Sequence, residues 1–155
     1  MVFVSITRLH IKSPRHLLPF IWHNVLSSWQ IINIPGFLKG KIYRDGYGAY
    51  WTITTWENQS AMKSYRNSGA HRQAMQHIQT WCDEAAVVHW EQADSSLPNT
   101  LEAHRRMACE GHFTRLSHPC AAHLKRKIPE PSSDDVQGLL LHPRKKMPRT
   151  VLEQI

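Results

Sequence analysis

The chain has 155 residues, 41% of them hydrophobic, and a formal net charge of +7, which fits one domain able to bury its own core. The basic excess is spread thinly apart from Lys125-Arg126-Lys127 and Arg144-Lys145-Lys146, so no nucleic-acid partner is expected. No apolar run approaches the roughly 20 residues that cross a bilayer, and Cys82, Cys109 and Cys120 are too few for a disulfide framework, so the expectation is a cytoplasmic chain with reduced thiols and no membrane partner.

Residues 2 to 10 alternate as a strand with much of both faces covered. Ser13-Pro14 signals a helix start, and Leu18, Trp22, Val25, Trp29 and Ile32 recur at steps of four, three, four and three, the stripe of a helix over about 14 to 32. Trp29 is expected in the core, while Trp22 is open between core and pocket lining. Pro35-Gly36 ends that element. FLKGKIYR and AYWTITTW, joined by Asp45-Gly46-Tyr47-Gly48, form a hairpin. Asn58 caps a second helical stretch that Ser68-Gly69 interrupts and residues 70 to 83 resume. AAVVHWEQA is the last strand. The order strand, helix, strand, strand, helix, strand is the split βαβ pattern, an α+β fold with both helices on one face of a four-stranded antiparallel sheet.

Tyr50, Thr52, Thr54 and Trp56 point one way and Trp51, Ile53 and Thr55 the other, so the face away from the helices still presents aromatics that need cover. A sheet-to-sheet homodimer supplies it. Beyond residue 94 the pattern weakens: a short helix over Thr100 to Cys109 lies in an extension spanning 95–131, and residues 132–155 form a basic, poorly packed tail.

The residues Trp56-x4-Ala61-Met62-x2-Tyr65-Arg66-x-Ser68-Gly69-Ala70-His71-x2-Ala74-Met75, after Pro35-Gly36-Phe37, resemble the dimeric α+β barrel superfamily that includes antibiotic biosynthesis monooxygenases and haem-degrading monooxygenases. The resemblance covers residues 1 to about 94 and extends to Trp81–Ala85 and His89-Trp90. It implies a ferredoxin-like βαββαβ domain, two copies of which face each other through their sheets, with a small-molecule pocket between sheet and helices. The haem-degrading members carry a ligand histidine where this chain has Met75 and a tryptophan where it has Tyr65, so haem is not the expected cofactor; His71 as axial ligand is a minor alternative. The anthrone-oxidising members need neither metal nor flavin, because the deprotonated substrate itself passes an electron to oxygen.

His71 is the leading catalytic candidate, since the first turn of a helix disfavours a second positive charge and leaves a neutral general base. Tyr65 and Arg66 are candidate donors to a developing oxyanion. Trp22, Trp51 and Met75 are candidate substrate contacts. Cys109-x2-His112-x5-His118-x-Cys120-x2-His123 lacks the two-knuckle spacing of a structural zinc site, so no metal is expected, and His23, His77 and His89 read as dispersed surface or strand positions. The expected function is a cofactor-independent, monooxygenase-like enzyme acting on a small aromatic or polyketide-like molecule. The alternative is a non-catalytic ligand-binding or structural dimer of the same fold.

Overall fold

The first alternating segment becomes β1 (Val2–Ile11), the central strand of the sheet. A computed structural model describes residues 1–145 of the chain. β1 pairs antiparallel with β3 (Tyr50–Trp56) on one side and β4 (Cys82–Gln92) on the other, and β2 (Phe37–Arg44) continues the sheet beyond β3. The hairpin turn is fixed by Asp45, whose Oδ1 accepts from the N–H groups of Tyr47 and Ala49 at 2.9 Å each. The order β4-β1-β3-β2 is the ferredoxin-like arrangement read from the sequence.

Among the described residues the sheet has six strands, not four. Two short ones come from the C-terminal extension: β5 (His112–Phe113) pairs with β4, and β6 (Leu139–Leu141) pairs with β2. This also corrects the reading of residues from 132 onward as poorly packed, because Leu141 is buried against Phe37 and Trp56, and Lys41 Nζ holds Asp135 Oδ1 at 3.0 Å. The expected tail from Lys146 to Ile155 lies outside the described residues.

The near face of the sheet carries a 3-10 turn at Pro14–His16 and four helices, α1 (Leu17–Ile31), α2 (Gln59–Arg66), α3 (Gly69–Met75) and α4 (Ile78–Trp81). Phe3, Ile31, Trp56, Met62 and Tyr65 pack one end of that layer, and Phe20, Ile78, Trp81, Cys82 and Ala85 the other. α1 sits the opposite way round from its expected orientation. Leu18, Trp22, Val25 and Trp29 are 77%, 62%, 55% and 60% exposed, while Phe20, Ser27 and Ile31 are buried. The spacing of the apolar residues gave the helix correctly but not its inner face, because the sheet beneath offers Ser5, Thr7, Thr52 and Thr54 around a cavity, not a continuous apolar surface.

The far face is not open. α5 (Thr100–Glu110), capped by Asn99 Oδ1 on the Glu102 N–H at 2.9 Å, lays Ala103 and Met107 on Val4, Ile6, Trp51, Ile53 and Val88, and all seven are buried. The sheet aromatics expected to need a second copy are therefore covered within the chain: Trp56 by the near helices, Trp51 by α5 and its flanks. Sheet-to-sheet pairing finds α5 in the way. α6 (Ala121–Leu124) completes the extension and carries His123, whose ring staples the loop: Nε2 bonds the Thr114 carbonyl at 2.8 Å and Nδ1 receives the Ala85 N–H at 3.4 Å.

Candidate active site

Between the sheet and α1 to α4 lies a cavity of about 220 Å³, floored by Ser5, Thr7, Thr52 and Thr54 and walled by Phe20, Ile31, Trp56, Met62, Ile78 and Trp81. A cavity of about 150 Å³ holds benzene, so this one is sized for one or two aromatic rings.

His71 lines this cavity. Its position follows from the break at Ser68-Gly69. Gly69 has φ +55°, in the left-handed region that favours glycine, and a Cβ there would meet the Gln30 side chain at 3.1 Å. Ser68 forms no side-chain cap on α3; its hydroxyl donates back to the Ser64 carbonyl at 2.7 Å. Gln30 of α1 takes over: Oε1 accepts the His71 N–H at 2.9 Å and Nε2 donates to the Ser68 carbonyl at 2.9 Å. One side chain thus ties α1 to the start of α3 and satisfies a first-turn donor of that helix.

The His71 ring is set by a second contact, Nδ1 at 3.2 Å from the Arg66 carbonyl. A carbonyl only accepts, so Nδ1 carries the proton and Nε2 is left as the free acceptor. Burial is the main cause lowering the His71 pKa below 6.5; the Arg66 charge acts the same way and the carbonyl bond opposes both. The ring is accordingly neutral at pH 7, the state expected from the sequence, although burial and not the helix end is the chief reason. Tyr65 packs against it with ring centres 4.5 Å apart and the planes tilted by 44°.

Tyr65 is buried, its pKa is raised by desolvation, and its hydroxyl already donates to the Ser27 carbonyl at 3.3 Å. It is a wall and a hydroxyl held neutral. Arg66 lines the cavity and is the one permanent positive charge there, with Nε donating to Asn67 Oδ1 at 3.2 Å. Met75 lines it too and is the only exposed lining residue, which places it at the rim. The two tryptophans expected as substrate contacts do not reach it. Trp22 is on the outer face of α1, and Trp51 is on the far face of the sheet, where its Nε1 donates to Asp45 Oδ2 at 2.9 Å.

Sequence reasoning missed three groups. His23 and His89, read as dispersed, both line the cavity, and burial followed by the charges of Arg66 and Lys63 lowers the His89 pKa. Ser27 Oγ and His23 Nδ1 are buried lining atoms with no hydrogen-bond partner, so they are available to a ligand. A period-four look at His23 and Ser27, in register with Ile31, would have shown the inner face of α1.

Cys109, His112, His118, Cys120 and His123 do not converge. Among the described residues the one group with ligand atoms close enough for a metal is His10, Asp83 and Glu84, within 4.8 Å of one another. Its atoms are already paired, His10 Nδ1 to Asp83 Oδ1 at 2.6 Å and Glu84 Oε1 to Arg8 Nη1 at 3.3 Å.

Comparison with known proteins places this architecture. The antibiotic biosynthesis monooxygenase family matches residues 29–77. Among solved structures, Rv0793 from Mycobacterium tuberculosis aligns at a TM-score of 0.55 with 11% identity, covering 62% of this chain and 99% of its own. The chain has the antibiotic biosynthesis monooxygenase fold. A candidate antibiotic biosynthesis monooxygenase from Deinococcus radiodurans gives 0.52 at 17% identity over 62% of this chain and 96% of its own. SnoaB, a cofactor-independent oxygenase from Streptomyces nogalater, gives 0.50 at 10% over 61% and 95%. No curated protein matches. At these identities the likeness is one of fold, and the antibiotic biosynthesis monooxygenase match from Trp29 to His77 takes in Gln30, Tyr65, Arg66, His71 and Met75.

Proposed function

We propose that the chain is a monooxygenase-like enzyme that works without a resident cofactor on a small, ionisable aromatic molecule held between sheet and helices. The observation that carries this is the His71 ring: neutral, with its Nδ1 proton committed to the Arg66 carbonyl and Nε2 free, on the wall of a cavity of one- or two-ring size. That is the arrangement of a general base. Nε2 would take a proton from an activated CH₂ of the substrate. The resulting carbanion passes one electron to O₂, the radical and superoxide recombine to a peroxide at that carbon, and loss of water leaves a carbonyl, so CH₂ plus O₂ gives C=O plus H₂O. Arg66, Ser27 Oγ and His23, which line the same cavity, would stabilise charge developing on the substrate oxygen. A haem macrocycle exceeds this cavity, which supports the reading without haem, and a homodimer of this fold needs a surface other than the far sheet face.

The test is oxygen uptake by purified, chelator-treated protein against a panel of one- and two-ring compounds with an activated CH₂, such as hydroxylated indanones and tetralones. A turned-over compound whose rate falls about 10²- to 10⁴-fold in His71→Gln, with binding retained, supports the enzyme. Tight binding with no uptake favours the non-catalytic binding module, and uptake indifferent to His71→Gln removes the base assigned here.

A further inference from the structure

The outer face of α1 is a surface the pocket does not explain. Leu18, Trp22, Val25 and Trp29, with Ile21 beside them at 41% exposure, form one continuous apolar ridge. At roughly 100 Å² each, such residues present on the order of 500 Å², the upper part of the range for a single patch on a monomer. The charges on the helical layer that carries the ridge are of one sign. The 3-10 turn and α1 to α4, residues 14–31 and 59–81, contain no Asp or Glu at all, and the first acidic residue of the chain is Asp45. Lys12 and Arg15 stand at the N-terminal end of the ridge, exposed Arg72 on the neighbouring α3, and Arg144 at the C-terminal end, its guanidinium 5.5 Å from the centre of the Trp29 ring.

We infer that this ridge is a docking face for the surface of an anionic phospholipid bilayer. No helix of the described residues is long and apolar enough to cross a membrane, and the expectation of no membrane partner rested on the lack of a span; a helix lying in the interface plane needs only an apolar face, interfacial tryptophans and a basic border. The charge distribution favours lipid over a second copy, because two such faces brought together would oppose Lys12, Arg15, Arg72 and Arg144 with no carboxylate on either helical layer to pair them. Met75, the exposed rim residue of the cavity, belongs to α3, which packs along α1, so the cavity opens in the layer that meets the bilayer. A lipophilic substrate would then arrive from the membrane, a corollary that rests on the proposed function, whereas the docking itself does not.

The experiment is flotation of the full chain with vesicles of phosphatidylcholine alone or with 30% phosphatidylglycerol, taking that fraction as about a third anionic lipid, alongside sedimentation velocity without lipid. Expected are binding to the anionic vesicles, little to the neutral ones, release by ~0.5 M salt, and at least a tenfold weaker affinity for both Trp22→Ser/Trp29→Ser and Arg15→Glu. Leu101→Ser, an equally exposed leucine on α5, should bind like the parent. Circular dichroism of each variant checks that the fold is kept. A chain that ignores anionic vesicles overturns the inference, as does a dimer that Trp22→Ser/Trp29→Ser dissolves, which would assign the ridge to a second copy.

Discussion

His71 ties two predictions to one ring. Its pKa is lowered from 6.5, so the base form persists below that value; the rate with a working substrate should stay level from pH 8 to about 6.5 and fall only further into acid. Stability follows the same sign. A histidine whose folded pKa lies below its unfolded one holds full stability above pH 6.5 and loses it as pH falls through that value, because the unfolded chain takes the proton first. His71 and His89 both shift this way, so thermal melts from pH 8 to 5 should show Tm falling below about pH 6.5, and His71→Gln should flatten that slope. A melt that gains stability on acidification would contradict the buried neutral ring. That His71 stands in the first turn of a helix was legible in the sequence, since Ser68-Gly69 marks a helix start. Its tautomer was not, because the partner is a backbone carbonyl at the end of the preceding helix, and neither was Gln30, which reaches it across 41 positions.

The helix α1 separates what periodicity reveals from what it conceals. Spacing identified the helix and its apolar stripe, but the more polar stripe faces inward because a cavity floored by hydroxyls lies beneath it. Two substitutions on this one helix should therefore behave unlike their residue types. Val25→Gln, on the exposed ridge, should stay within about 0.5 kcal/mol of the parent in urea denaturation, whereas Phe20→Ala, at a site 6% exposed, should cost roughly 3–5 kcal/mol. Equal costs would mean that α1 is rotated. The Gln30 link is tested separately: Gln30→Ala strips the cap from α3 and should cost about 1 kcal/mol while loosening the ring of His71, so activity should fall by more than the loss of stability alone explains.

For the whole molecule, the strand order and the alternation of faces were readable because each strand keeps its period, and Tyr50, Trp51, Trp56 and Ile53 lie where that period puts them. What covers the far face was not readable, since α5 offers only Ala103 and Met107 to it, a signal too sparse to assign. A chain stopped after Asp94 should bare Val4, Ile6, Trp51, Ile53 and Val88 and self-associate more strongly than the full chain in sedimentation. Met107→Ala should cost about 2–5 kcal/mol. The same dependence has a consequence on the ribosome. The central strand β1 is made first, yet its far face is closed by α5 and the edge of β2 by β6, residues 139–141. At about 5–20 residues per second, the interval between completing β4 and completing β6 is on the order of 2–10 s, during which an apolar sheet face hangs at the exit tunnel. A nascent-chain chaperone would meet this protein as an unfinished sheet for about a third of its synthesis, and slowing translation past Gln92 would lengthen that exposure.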